Sequence, residues 1–263
     1  MISKLFISIF ALILSTAATA QTGREIMERQ DEIHGVQVEY TDSTMTLHNA
    51  KGRTKLRRML NYSIRTEEDQ YQSLIKFVEP ANVNNVGLLT WTQTAPKEDD
   101  QWLYLPASKK IKRITGGSKS NAFMGTDFAY EDMGSENLTA HKYNLIGEET
   151  VDGHDCWIVE ALPGNEQQKK NSGYSKRVFW IRKDIYFTVK ADFYDRRSNL
   201  KKIATYSDVA EIGGGAWRGN NVLMKDLKRK TMTELVVDKR DVQTPISASL
   251  FDPQSLKRPV SVR

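Results

Sequence analysis

Three acids close together, Asp127, Glu131 and Asp132 in "NAFMGTDFAYEDM" (121–133), are the first side chains in this sequence with the means to do chemistry. Neighbouring carboxylates can hold a calcium ion or work as an acid and base pair. Their spacing matches no calcium loop, however, and acids in a short helical segment more often serve as caps or stay solvated. The next candidate is "HDC" at 154–156, where a strand would put His154 and Cys156 on one face as a thiol and its base. Cys156 runs straight into Trp157-Ile158-Val159, so a buried small hydrophobe is the better reading. The four histidines, His34, His48, His141 and His154, lack metal-ligand spacing. No G-x-S-x-G, P-loop or Rossmann pattern occurs, and "IGGGAW" (212–217) reads as a turn rather than a phosphate cradle. The expectation is a protein without catalytic residues, metal or cofactor.

The same stretch is richer in apolar groups than in acids. Phe123, Met124, Phe128, Tyr130 and Met133 surround Gly125, just after the polar run "TGGSKS" (115–120). Such side chains in a connection either plug the protein's own core or hold an apolar ligand.

The elements that would position them follow from periodicity. "MISKLFISIFALILSTAATA" (1–20) has one early cation, Lys4, an apolar run and a small-residue end, the pattern of an export signal cleaved after Ala20. Gln21 then offers no cysteine for a lipid anchor, so a periplasmic protein, soluble after cleavage, is expected, with residues 21–263 as one domain. Loss of Lys4 turns 38 basic residues into 37 against 33 acidic ones, a formal +4 that calls for no nucleic acid. The lone Cys156 allows no internal disulfide, so the core must hold the fold.

"TGREIMERQDEI" (22–33) reads as an amphipathic helix opened by a Thr22/Glu25 capping box. From about Thr44 the period becomes two. Leu56, Leu60, Tyr62 and Ile64 share one face, as do Ile185, Phe187, Val189, Ala191 and Phe193, and similar runs recur to make about a dozen strands. Short turns such as Asp152-Gly153 and Arg197-Ser198-Asn199 join them, which predicts an antiparallel meander curled into an open or closed barrel. "LPGNEQQKKNSGY" (162–174) reads as a mobile surface loop. Only the first helix and residues 115–137 remain to fill the concave side. Its apolar walls are expected from Trp91, Trp102, Tyr104, Phe123, Met124, Phe128, Phe179 and Phe187, since rings and methionine suit variable ligands. The cationic run with Lys109, Lys110, Lys112 and Arg113 reads as a basic strand edge or as a surface for anionic headgroups or an acidic partner.

Three of these motifs together, "FVEPANVNNVGLLTW" (77–91), "QWLYLPASKKIKRI" (101–114) and "FMGTDFAYED" (123–132), resemble the bacterial outer-membrane lipoprotein-sorting protein family, in particular its LolA-like branch. "ASLFDPQSL" (248–256) extends the likeness more weakly. The resemblance implies a mainly β, half-open antiparallel barrel with short helices over a concave apolar face. It further implies a carrier of the acyl chains of a lipid or acylated lipoprotein, taking cargo from an inner-membrane lipid exporter to an outer-membrane acceptor. An adaptor for a resistance-nodulation-division type transporter is the main alternative, and a hydrolase using Asp127, Glu131 and Asp132 a distant one.

Overall fold

Alternation sustained over a dozen segments needs a sheet. The computed structural model describes residues 21–68 and 70–260 and contains one sheet of thirteen antiparallel strands. The export signal expected at 1–20 lies outside the described residues. The first six strands are β1 (Val38–His48), β2 (Thr54–Arg65), β3 (Tyr71–Glu79), β4 (Gly87–Trp91), β5 (Asp100–Leu105) and β6 (Lys110–Ile114). The other seven are β7 (His141–Val151), β8 (His154–Pro163), β9 (Tyr174–Arg182), β10 (Phe187–Asp195), β11 (Leu200–Gly213), β12 (Ala216–Asp226) and β13 (Thr231–Asp241). Their spatial order is β6-β5-β4-β3-β2-β1-β13-β12-β11-β10-β9-β8-β7.

This order explains the "NAFMGTDFAYEDM" segment. The chain enters at the middle of the sheet, steps outward to the β6 edge, and must then reach the opposite edge before stepping back inward from β7. Residues 115–140, the strap, make that crossing over the concave side in a series of short 3-10 turns. β6 and β7 are not paired, so the sheet stays half-open.

Helix α1 (Gly23–His34) forms as expected: the Thr22 hydroxyl accepts from the Glu25 amide at 3.2 Å, and the Glu25 carboxylate accepts from the Thr22 amide at 2.7 Å. It lies on β7 and β12 and buries Ile26 and Met27 in the core. A β-carbon on Gly23 would come within 2.6 Å of the Asn144 backbone, so only glycine allows this close a docking. The three glycines at 213–215 all have positive φ and form the β11–β12 turn.

Three sequence expectations change. β1 begins at Val38, earlier than the periodicity suggested. The presumed loop at 162–174 instead carries the end of β8 and a short helix, α2 (Glu166–Asn171), because the Asn165 side chain accepts from the Gln168 amide at 2.8 Å and caps it. Lastly, Leu60 and Tyr62 of β2 face away from the concavity, against Ile246, Phe251 and Leu256 of the C-terminal segment. The sheet in this half is therefore covered on both sides, and period two alone does not say which apolar face is the inner one. On β10 a register shift between Thr188 and Lys190 also turns Val189 to the outer side, beside Cys156 and Trp180.

Candidate functional site

Under α1 and the strap lies a cavity of about 610 Å³. That falls within the range of roughly 300–1,000 Å³ usual for small-molecule sites. Different forces hold the strap to the two halves of the sheet. Toward β1–β6 it is held by rings: Phe123 is fully buried, stacked on Phe77 at 5.6 Å and edge-on to Tyr130 at 5.6 Å. Toward β7–β13 it is held by its acids. Asp127 accepts from the Arg229 guanidinium at 2.6 Å and from the Thr231 and Thr233 hydroxyls. Asp132 faces Lys202 at 3.1 Å, accepts from the Tyr174 hydroxyl at 2.8 Å and caps the Ala129 amide at 2.7 Å. Glu131 accepts from the Ser172 hydroxyl at 2.7 Å and the Gly173 amide at 2.8 Å, while burial and the neighbouring Asp132 raise its pKa.

The three acids that were candidates for catalysis are thus anchors. Expecting them capped or solvated was half right, since Asp132 is a cap but also, like Asp127, buried. The signal was present in Lys202 on β11 and Arg229 in the β12–β13 turn, but nothing in one sequence pairs residues so far apart.

His34 and His141 are committed as well. His34 donates from Nε2 to the Ile185 and Tyr186 carbonyls (3.0 and 3.1 Å) and accepts the Trp217 amide at Nδ1 (3.1 Å), which pins the end of α1. His141 donates from Nδ1 to the Asn137 carbonyl at 3.2 Å, so Nε2 holds the lone pair that accepts Arg177 at 2.9 Å. Arg177 also grips Glu136 through two bonds of 2.6 and 2.8 Å. Cys156 is fully buried, and its thiol meets only the His154 carbonyl at 3.5 Å. Among the described residues no group of three or more His, Cys, Asp or Glu could hold a metal ion.

The His141 arrangement has a pH consequence. Burial first, then the Arg177 charge, lowers the imidazole to about 4. Burial pushes Glu136 up, but the Arg177 charge and hydrogen bonds outweigh it and hold the carboxyl at about 2. Both folded values lie below the unfolded ones of about 6.5 and about 4.3, so the unfolded chain takes up each proton first as pH falls. His141 therefore contributes stability that is present above pH ~6.5 and lost towards pH ~4, by up to about 3 kcal/mol; Glu136 extends the loss towards pH ~2. Calorimetric melting from neutral pH downward should show this decline, and His141→Gln should flatten its upper part.

Of the eight residues expected as walls, Phe128, Phe179 and Phe187 line the cavity. Phe123 and Met124 belong to the plug, packed with Phe77 and Leu103. Trp91, Trp102 and Tyr104 are placed on the opposite face, which corrects the expectation for them. Alternation sends their neighbours Thr90, Gln101 and Leu103 inward and these rings outward, where Trp91 Nε1 donates to the Phe251 carbonyl at 3.0 Å. They seat the C-terminal segment. The walls that sequence reasoning missed are Met27, Met45, Met59, Met133 and Met224, together with a polar set on β1–β5. Lys109, Lys110, Lys112 and Arg113 are exposed at the β6 edge, where Arg113 pairs with Asp100.

A half-open antiparallel sheet around a covered concavity is a LolA-like fold. The chain is 22% identical to a LolA superfamily protein from Nitrosomonas europaea, with a TM-score of 0.70 over 89% of this chain and 98% of that one, a likeness of fold. A family model described as "Uncharacterized protein" matches residues 69–258. A putative outer membrane lipoprotein-sorting protein domain from Vibrio parahaemolyticus is 32% identical (TM-score 0.85; 90% of this chain, 98% of that chain). A DUF1329 family protein from Desulfovibrio piger is 31% identical (TM-score 0.83; 89% and 97%). The chain belongs to the family of these proteins. Among curated proteins there is no match.

Proposed function

We propose that this protein is a periplasmic carrier, residues 21–263 acting as one unit, that shields the acyl chain of a lipid or acylated lipoprotein on its way to the outer membrane. The observation that carries this reading is the covered cavity with Phe128, Phe179, Phe187 and five methionines on its walls. Each methylene moved out of water there gains about 0.8 kcal/mol, and methionine adapts to chains of different shape. The family relationship to a putative lipoprotein-sorting domain supports the same reading.

Access would come by displacing α1 rather than the strap, since the strap is held by buried charges and a buried ring, whereas α1 buries Ile26 and Met27 and is otherwise held by the hydrogen bonds of His34 and Gln30 and the Asp31–Arg65 pair. The plug role of 121–133 thus comes before any role as a gate. The exposed Lys109, Lys110, Lys112 and Arg113 would meet anionic headgroups, an inner-membrane exporter or an outer-membrane acceptor.

Native mass spectrometry of protein purified from its own periplasm should find bound lipid, and the emptied protein should take up a fluorescent fatty acid. Phe187→Asp, on a half-buried wall position, should weaken that uptake about tenfold or more, because a carboxylate against an alkyl chain loses its water. Phe128→Asp should act in the same direction. A native protein that carries no lipid and takes up no fatty acid would favour the adaptor reading.

A further inference from the structure

On β1–β5 the cavity wall carries a row of polar groups. Glu39, Ser63, Ser73, Thr90 and Gln101 stand directly opposite one another on β1, β2, β3, β4 and β5: Glu39 pairs with Ser63, Ser63 with Ser73, Ser73 with Thr90, and Thr90 with Gln101. All five line the cavity. An inner sheet face that only packs a core is apolar, and burying a polar row costs stability unless its groups are satisfied. This row is satisfied only in part.

Gln101 is the informative member. It is 2% exposed, and its Nε2 donates to the Tyr130 carbonyl at 2.8 Å and to the Thr90 hydroxyl at 3.2 Å. A carbonyl accepts only, so the Tyr130 contact fixes which way the amide points. That leaves Gln101 Oε1 buried without a hydrogen-bond partner in the protein, and Asn61 Oδ1, on the adjacent row of β2, is in the same position. Two buried acceptors on one wall call for donors, since such atoms are rarely left unmet.

The cations nearby point the same way. Arg218 and Arg240 both bond Glu39, at 3.1 and 2.8 Å, and Arg65 pairs with Asp31 at 3.1 Å. Two guanidiniums share the one Glu39 carboxylate, and their other donors are taken by the Trp217 and His34 carbonyls and the Asn220 side-chain oxygen, so Arg218 and Arg240 are already engaged by protein acceptors. Phe179, Phe187 and Met224 supply an apolar stretch of the wall.

We propose that the cavity takes an amphiphile with an uncharged, hydroxyl-bearing head, a polyol ester, whose O–H groups bond Gln101 and Asn61 while its alkyl chain lies among the phenylalanines and methionines. This deepens the carrier reading and rests on it. A free fatty acid would set acceptor against acceptor, and an alkyl ester with no hydroxyl would leave both amides unmet.

The test is displacement of a fluorescent fatty acid from the native protein by monopalmitoylglycerol, methyl palmitate and palmitate. Monopalmitoylglycerol should displace it at about tenfold lower concentration than the other two, as expected for one or two net hydrogen bonds. Asn61→Leu should reduce that preference several-fold, leaving the share due to Gln101, with methyl palmitate binding as tight as before. Gln101→Leu should do the same, but it also strips a bond from Tyr130, so the Asn61 variant is the cleaner readout. Equal displacement by monopalmitoylglycerol and methyl palmitate would overturn the proposal while leaving the carrier reading in place, as water on the two amides would produce. Tightest binding of palmitate would overturn it in favour of an anionic head. If the native protein takes up none of the probes, the carrier reading falls and this proposal with it.

Discussion

Asp132→Ala should destabilise the protein by about 3–5 kcal/mol, among the largest single effects available in it. The Asp132 and Lys202 side chains are 5% and 4% exposed and sit 3.1 Å apart. Truncating the acid leaves an ammonium buried without its counter-charge, which is the expensive way to break a buried pair. The Tyr174 hydroxyl loses its acceptor and the Ala129 amide its cap. Urea denaturation would measure the loss. The double variant Asp132→Leu with Lys202→Met should recover most of it, because an apolar pair of similar volume avoids desolvating either charge. A loss below about 1 kcal/mol would mean that Lys202 reaches water by a small movement, so that the pair does not anchor the strap.

Phe123→Ala should cost a similar amount, about 3–5 kcal/mol, for a different reason. Its ring is fully buried between Phe77 and Tyr130, and the surrounding strands cannot collapse into the space left behind. Thermal or urea unfolding would read it. Phe123→Leu should cost clearly less, because it restores most of the volume. Were alanine and leucine equivalent, the ring would not be packed as described. The two variants release the strap from opposite halves of the sheet, so their separate effects should be nearly additive.

The strands, the opening helix and the edge position of the basic run were legible in the sequence because each is encoded locally, by alternation, a capping box and turn residues. The inner and outer faces were not. In β5 the residues are Asp-Gln-Trp-Leu-Tyr-Leu, and the rings look like the natural cavity lining. Yet a segment some 150 residues further on, around Phe251, covers them, and Gln101 is the group that turns inward. The acids of the strap were misjudged for the same reason, because their partners, Lys202 on β11 and Arg229 in the β12–β13 turn, are brought near only by the tertiary fold. Phe128, Phe179 and Phe187 do line the cavity, although β9 and β10 carry apolar side chains on both faces, Val178, Trp180 and Val189 lying on the outer one.

The meeting of β1 and β13 at the middle of the sheet bears on how the chain assembles. Every other strand pairing joins neighbours in sequence, so each half can zip up as a series of hairpins, whereas this seam joins residues such as Thr41 and Arg240 across nearly the whole length of the described residues. Long-range pairings form late, after their loop-closure entropy has been met. The molecule is thus two meanders joined covalently by the strap and laterally by a central seam, with α1 and the C-terminal segment each reaching from one half onto the other. A backbone cut in the strap would leave the seam and these two exchanged segments to hold the halves together, with the cavity divided between them.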